Sequence, residues 1–154
     1  MIFDKVTDFA EVLPEYGAIG GLDLGTKTIG VSVSDHMRSI ASPLKTIKRQ
    51  KFTQDAEYLL SICKGRALCG FILGLPRNMD GSEGPRAQST RAFARNLFQK
   101  MDLPISFWDE RLSTIAAKKA LLEADTTRKR RSEVIDHVAA SYILQGALDR
   151  LRYL

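Results

Sequence analysis

Three acidic residues stand in places where an acid needs a reason. Asp23 interrupts the apolar run AIGGLDL at 18–24, and burying a carboxylate in such a strand is costly unless its charge is compensated. Glu110 belongs to the pair Asp109-Glu110 directly after the apolar stretch PISFW (104–108), and the carboxyl ends of strands are where open α/β sheets collect their ligands. Asp136 lies beside Ala139 and Ala140 in IDHVAASYILQ. Those small side chains let a helix come close to a sheet and carry the carboxylate with it. Carboxylates converging in this way repel one another, and a divalent cation is the direct remedy. A donor set of oxygens without His or Cys suits a hard cation, Mg²⁺ or Mn²⁺, that keeps exchangeable waters. Two such ions about 4 Å apart can activate a water and stabilise the departing oxygen of an in-line phosphodiester displacement.

Groups that could orient a phosphate stand nearby in the chain: Thr26, Lys27 and Thr28 in and after the turn that follows Asp23, and Arg111 beside Glu110. Each acid also has a plainer reading. Asp23 could cap its own turn through Thr26, Glu110 could be an N-terminal helix acid favoured by the dipole, and Asp136 a first-turn acid of the last helix. His36 and His137 have no supporting spacing. A helix turns about 100° per residue, so His137 points away from Asp136 and reads as a surface residue.

These residues need elements to hold them. AIGGLDL and TIGVSVS (28–34) flank Gly25-Thr26-Lys27 and predict a hairpin. A third strand is expected near 41–49, and Phe52, Ala56, Leu59, Leu60 and Cys63 have helical spacing over 52–63. ALCGFILGL (67–75) reads as a strand covered on both faces that stops at Pro76, and Pro85 suits the first turn of the next helix. PISFW is another strand, Ser113 or Thr114 can cap a helix to about Ala124, and a last helix is expected from about Ser132 to Arg150. The order β-β-β-α-β-α-β-α-α describes an α/β fold whose mixed sheet begins with three antiparallel strands and continues with parallel ones. Residues 1–16 read as an N-terminal extension and 17–154 as a single domain.

The chain of 154 residues carries a formal charge of +5, but residues 1–17 hold four acids and one Lys, leaving the remainder at +8. Two basic clusters stand out: Lys45, Lys48, Arg49 and Lys51, and the uninterrupted run Arg128, Lys129, Arg130, Arg131 in a basic loop at 126–131. Either could neutralise phosphates by displacing condensed counterions, or simply solvate a surface. No apolar stretch approaches the ~20 residues of a membrane span. The acidic start lacks the basic-then-apolar pattern of a secretory signal, so a cytoplasmic location is expected. Cys63 and Cys69 are too few for a disulfide scaffold and read as reduced thiols.

Four blocks, GLDLGTKTIGVSVSD (21–35), GLPRNMDGSEGPRAQSTRAFA (74–94), WDERLST (108–114) and RKRRSEVIDHVAASYILQ (128–145), resemble the YqgF (RuvX) family. These bacterial ribonuclease H-like proteins are described as Holliday junction resolvases and pre-16S ribosomal RNA nucleases. Carried over position by position, the resemblance implies a ribonuclease H-like sheet and an acidic triad of Asp23, Glu110 and Asp136, the acids that the charge argument selects. It implies a metal-dependent nuclease acting on structured nucleic acid, with pre-16S ribosomal RNA as the leading substrate and branched DNA as the alternative. Lys27, Arg111 and Arg128 to Arg131 are the expected phosphate contacts. A ribosomal precursor particle and a homodimer are the expected partners, the dimer because a resolvase cuts two strands symmetrically. Two readings from other classes compete: a non-catalytic nucleic-acid or ribosome-binding module, and an actin-like ATPase suggested by D-x-G-T, for which the chain has length for only one of two lobes. The extension 1–16 and Arg77 in the L-P-x-N-M-D-G loop depart from the family pattern; the extension could cover an apolar patch or shield the basic face.

Overall fold

The computed structural model describes residues 1–112 and 128–154, the start of the last helix up to residue 134 by its backbone alone. The elements are β1 (Ile2–Phe3), α1 (Val6–Val12), β2 (Ile19–Leu24), β3 (Thr28–Ser34), β4 (Ala41–Lys48), α2 (Phe52–Cys63), β5 (Gly70–Leu75), α3 (Pro85–Met101), β6 (Ile105–Asp109), a short 3₁₀ turn (Glu110–Leu112) and α4 (Arg128–Arg152). The helix expected from Ser113 or Thr114 lies outside the described residues.

The strands form one six-stranded sheet in the order β1-β6-β5-β2-β3-β4. β2, β3 and β4 pair antiparallel, while β5 joins β2, and β6 joins β5, in parallel. β2 and β5 are buried along their whole length, as their continuous apolar runs require of strands covered on both faces. Alternation then divides the core in two. Leu22, Leu24, Ile29, Val31, Phe71 and Leu73 pack with Leu59, Phe93 and Leu97 under α2 and α3, while Ile19 and Ile72 pack with Ala139, Ile143, Leu144 and Leu148 of α4. Among the described residues no helix is long and apolar enough to cross a membrane.

The first 16 residues are built into this sheet. β1 lies parallel to β6, with Ile2 opposite Ile105, and α1 buries Val6 and Phe9 against the α4 side of the core. Of the two roles open to the extension, covering an apolar patch is the one observed, and Asp4 adds an ion pair to Arg91 of α3 at 2.8 Å. The basic run also differs from expectation. Residues 128–131 are helical, the beginning of α4, where the charge pattern suggests a loop. The segment from Arg128 to Ile135 contains no Gly or Pro, and Arg and Lys are good helix formers. Cys63 and Cys69 are free thiols, and burial pushes the Cys63 thiol up to about 11.

Candidate active site

The register of the sheet sets Asp23 between two glycines. Asp23 of β2 stands opposite Gly30 of β3. On its other side β2 and β5 pair Leu22 with Leu73, so one step further along the same register Asp23 stands beside Gly74, which in turn faces Trp108 of β6. Residues paired across a sheet share a face, and this row looks toward α4. Asp23 is therefore a buried acid, 8% exposed, with a residue lacking a side chain on each flank.

What fills the two gaps explains why they are glycines. A Cβ on Gly30 would lie 1.9 Å from the carbonyl oxygen and 2.5 Å from the carbonyl carbon of Asp136. The backbone of α4 thus rests directly on β3 at this point. A Cβ on Gly74 would meet Oε1 of Glu110 at 2.7 Å and Cδ1 of Ile143 at 2.5 Å. The two missing side chains admit Asp136 from the β3 side of Asp23 and the Glu110 carboxylate from the β5 side. Asp136 and Glu110 therefore reach the face of the sheet that carries Asp23, one on each side of it. The Thr28 hydroxyl donates to Oδ2 of Asp136 at 2.8 Å, so it orients a carboxylate in place of the expected phosphate. Oxygen donors of this kind suit a hard cation, although among the described residues no three His, Cys, Asp or Glu side chains stand as a group ready to hold one.

Glu110 opens the 3₁₀ turn that ends β6, and its neighbours stiffen that turn. Asp109 Oδ1 accepts the Arg111 backbone N–H at 3.0 Å, and the Arg111 guanidinium grips the same carboxylate at 2.7–3.1 Å. The side-chain hydrogen bond from Arg111 is the main reason that the Asp109 carboxyl lies below its ordinary range. Arg111 also reaches the Met79 carbonyl at 3.4 Å, linking the turn to the loop after β5. It is ion-paired and exposed. A second clasp holds that loop from the other side, where Arg91 donates to both oxygens of Glu83 at 2.6 and 2.7 Å and keeps its carboxyl below the usual range.

Lys27 is exposed at the tip of the β2–β3 turn. Arg128 to Arg131 lie five to eight residues before Asp136 in the same helix, about 7–12 Å along its axis at 1.5 Å per residue. His137 is half-buried and shares a 2.9 Å hydrogen bond with Thr46 of β4, so it fastens α4 to the sheet and does not stand free on the surface. Gly30 and Gly74 belong to this candidate site although no motif singles them out. The signal for them is a glycine in a strand interior, which costs stability and marks a close approach.

The family model described as "RuvX: Holliday junction resolvase" matches residues 17–150. A protein from Paracoccus denitrificans called "Putative pre-16S rRNA nuclease" is 71% identical over 154 residues, covering 100% of this chain and 98% of the relative. One of the same name from Ruegeria pomeroyi is 70% identical and covers both chains in full. Among solved structures, Thermus thermophilus RuvC in complex with a Holliday junction substrate aligns with a TM-score of 0.54 over 88% of this chain and 96% of that one, at 10% identity. RuvC without substrate gives 0.52 over the same shares. These two likenesses speak for the fold, a ribonuclease H-like mixed α/β sheet.

Proposed function

The chain belongs to the RuvX family, and on that footing we propose that it is a divalent-metal-dependent nuclease that hydrolyses phosphodiester bonds in structured nucleic acid, with precursor 16S ribosomal RNA as its substrate. The observation that carries this reading is the row Gly30–Asp23–Gly74. Two strand glycines give up their own packing so that Asp136 and Glu110 can flank a buried carboxylate, and a structural acid would need no such arrangement. The name shared by relatives 70–71% identical over the full chain supports the choice of RNA.

In this reading Asp23, Glu110 and Asp136 would hold Mg²⁺ or Mn²⁺, which when bound would supply water activation and charge stabilisation for phosphodiester hydrolysis. The protein's own part is positioning. Thr28 orients the Asp136 carboxylate through its hydroxyl, the Asp109–Arg111 pair fixes the turn that presents Glu110, and packing of α4 on Gly30 sets the distance between β3 and the helix. Lys27 and Arg128 to Arg131 draw the phosphate backbone in without reading bases, which suits recognition by shape. The setting is cytoplasmic, with an assembling ribosomal particle as the natural presenter of the substrate.

The test is a cleavage assay with Mg²⁺ and with Mn²⁺ on a precursor 16S ribosomal RNA fragment and on a four-way DNA junction, run beside Asp23→Asn. Metal-dependent cleavage of the RNA, lost in the variant while its thermal melt is retained, is the expected result. Full activity in Asp23→Asn would sink the triad. The family description favours the junction as the second reading; cleavage of the DNA arm alone, by a two-fold dimer in sedimentation, would select it. Binding without cleavage on either arm would favour a non-catalytic module.

A further inference from the structure

A second feature lies on the other side of the turn that follows Asp23. A cleft of about 490 Å³ opens between that turn, the end of β4 and the beginning of α3; Gly25, Thr26, Arg49, Gln50, Arg86 and Ser89 are among its lining residues, and among the described residues no acid lines it. Both guanidinium groups are held by the turn itself: Nη1 of Arg49 donates to the Gly25 carbonyl at 2.7 Å, and Nη2 of Arg86 to the Leu24 carbonyl at 3.3 Å. Arg49 also lies 5.8 Å from the centre of the Phe93 ring.

Four other arginines are neutralised differently: Arg77, Arg91, Arg111 and Arg152 each pair with a carboxylate. Arg38, Arg66, Arg95 and Arg150 lie elsewhere and, among the described residues, also lack a carboxylate partner. Among the described residues Arg49 and Arg86 have none, so two fixed positive charges share one cleft with most of their donors unused. Like charges held together without an anion repel, and the ligand class that would reward the arrangement is an oxyanion accepting several N–H bonds at once. Thr26, Gln50 and Ser89 add neutral polar groups to the same cleft.

We propose that this cleft binds a phosphodiester of the substrate backbone, one that flanks the bond placed at the acidic row. The inference rests on the nuclease reading for its ligand, since a chain whose backbone crosses the end of the sheet meets Asp23 on one side of the turn and the arginine pair on the other. Arg49 and Arg86 are positioning residues in this scheme: they set the register of the strand and take no part in bond breaking.

The experiment measures binding without metal, so cleavage does not enter. Affinities for a fluorescein-labelled precursor 16S ribosomal RNA fragment and for a four-way DNA junction are followed by anisotropy from 50 to 200 mM KCl in EDTA. Each neutralised phosphate contributes about −0.9 to the slope of log K against log salt on a duplex, so Arg49→Gln with Arg86→Gln should flatten the slope by about 0.9, the share of the one phosphodiester held in the cleft. Arg49→Lys with Arg86→Lys should keep it, because charge is retained. Lys64→Gln with Lys100→Gln removes two exposed charges elsewhere and should leave the slope unchanged. Should the Gln pair loosen the turn and fail to melt cooperatively, Ser89→Glu places a repelling charge at an exposed lining position and should lower affinity by itself. Single methylphosphonate linkages scanned along the probe should reveal one position whose neutralisation weakens the wild type and leaves the Gln pair or Ser89→Glu unaffected. The arm that shows this position identifies the nucleic acid.

An unchanged slope in the Gln pair, an equal change in the lysine control, or a scan with no such position would each overturn the proposal. Its failure is separable from that of the acidic site. If Asp23→Asn still cleaves while the cleft variants lose salt dependence, the triad falls and the cleft stands; the reverse pattern removes the cleft alone.

Discussion

Gly30→Ala tests the central geometric claim with the smallest possible change. The added Cβ would lie 1.9 Å from the Asp136 carbonyl oxygen, against a floor near 3.0 Å for real Cβ neighbours. β3 and α4 must therefore separate by at least 1.1 Å along that line, and the obstruction is backbone, which cannot swing aside. Overpacking of this kind costs about 1–3 kcal/mol, and loss of the Thr28–Asp136 hydrogen bond at 2.8 Å adds on the order of 1.5 kcal/mol for a charged acceptor. A sum of about 2.5–4.5 kcal/mol corresponds to a melting temperature lowered by roughly 5–18 °C at this chain length. Because a misplacement near 1 Å can reduce a rate about 100-fold, cleavage should fall by that order even at temperatures where the variant is fully folded. Gly74→Ala is the companion. There the new Cβ meets side-chain atoms, Oε1 and Cγ of Glu110 at 2.7 and 3.3 Å and Cδ1 of Ile143 at 2.5 Å, which can rotate where backbone cannot, so stability should fall less while activity still drops through displaced Glu110. Calorimetry and a metal-dependent cleavage assay on both variants make the comparison. A Gly30→Ala protein as stable and active as the wild type, or one less perturbed than Gly74→Ala, would refute the docking of α4 on β3 as described.

Replacing Arg128, Lys129, Arg130 and Arg131 with Gln should weaken binding to unrelated sequences about equally and flatten its salt dependence by up to about 0.9 for each phosphate no longer neutralised; a shifted cleavage position at unchanged affinity would instead place this helix start in the chemistry. Arg111→Gln should return the Asp109 carboxyl toward its ordinary range. Since that folded-state pKa is depressed, the pair contributes stability above the unfolded value of about 3.9 and loses it as pH falls through the folded one. The difference in urea midpoint between wild type and Arg111→Gln should accordingly be present at pH 7 and shrink progressively below about pH 4; a gap independent of pH would show that Arg111 acts through packing.

Much of this protein is local in origin. The apolar runs of 18–24 and 28–34 around a glycine turn, the helical spacing of 52–63 and the unbroken apolar run before Pro76 each express a pattern that neighbouring residues determine by themselves, and the observed strands and helices follow it closely. Asp23 is equally legible, because a charged residue in an apolar run is anomalous whatever surrounds it.

What tertiary structure decided is everything that depends on register between distant segments. Asp23, Gly30, Gly74 and Trp108 form a row only because β2 pairs with both β3 and β5, and β5 with β6, at one particular offset, and no local pattern encodes an offset between strands dozens of residues apart. The same holds for Thr28, whose partner Asp136 is 108 residues away, and for His137, which helical geometry alone turns outward but which β4 captures through Thr46. The role of the first 16 residues is hidden in the sequence because a two-residue strand such as β1 has no period to detect; it exists only where β6 offers an open edge. Composition determined which groups could do chemistry, and long-range packing determined which of them meet.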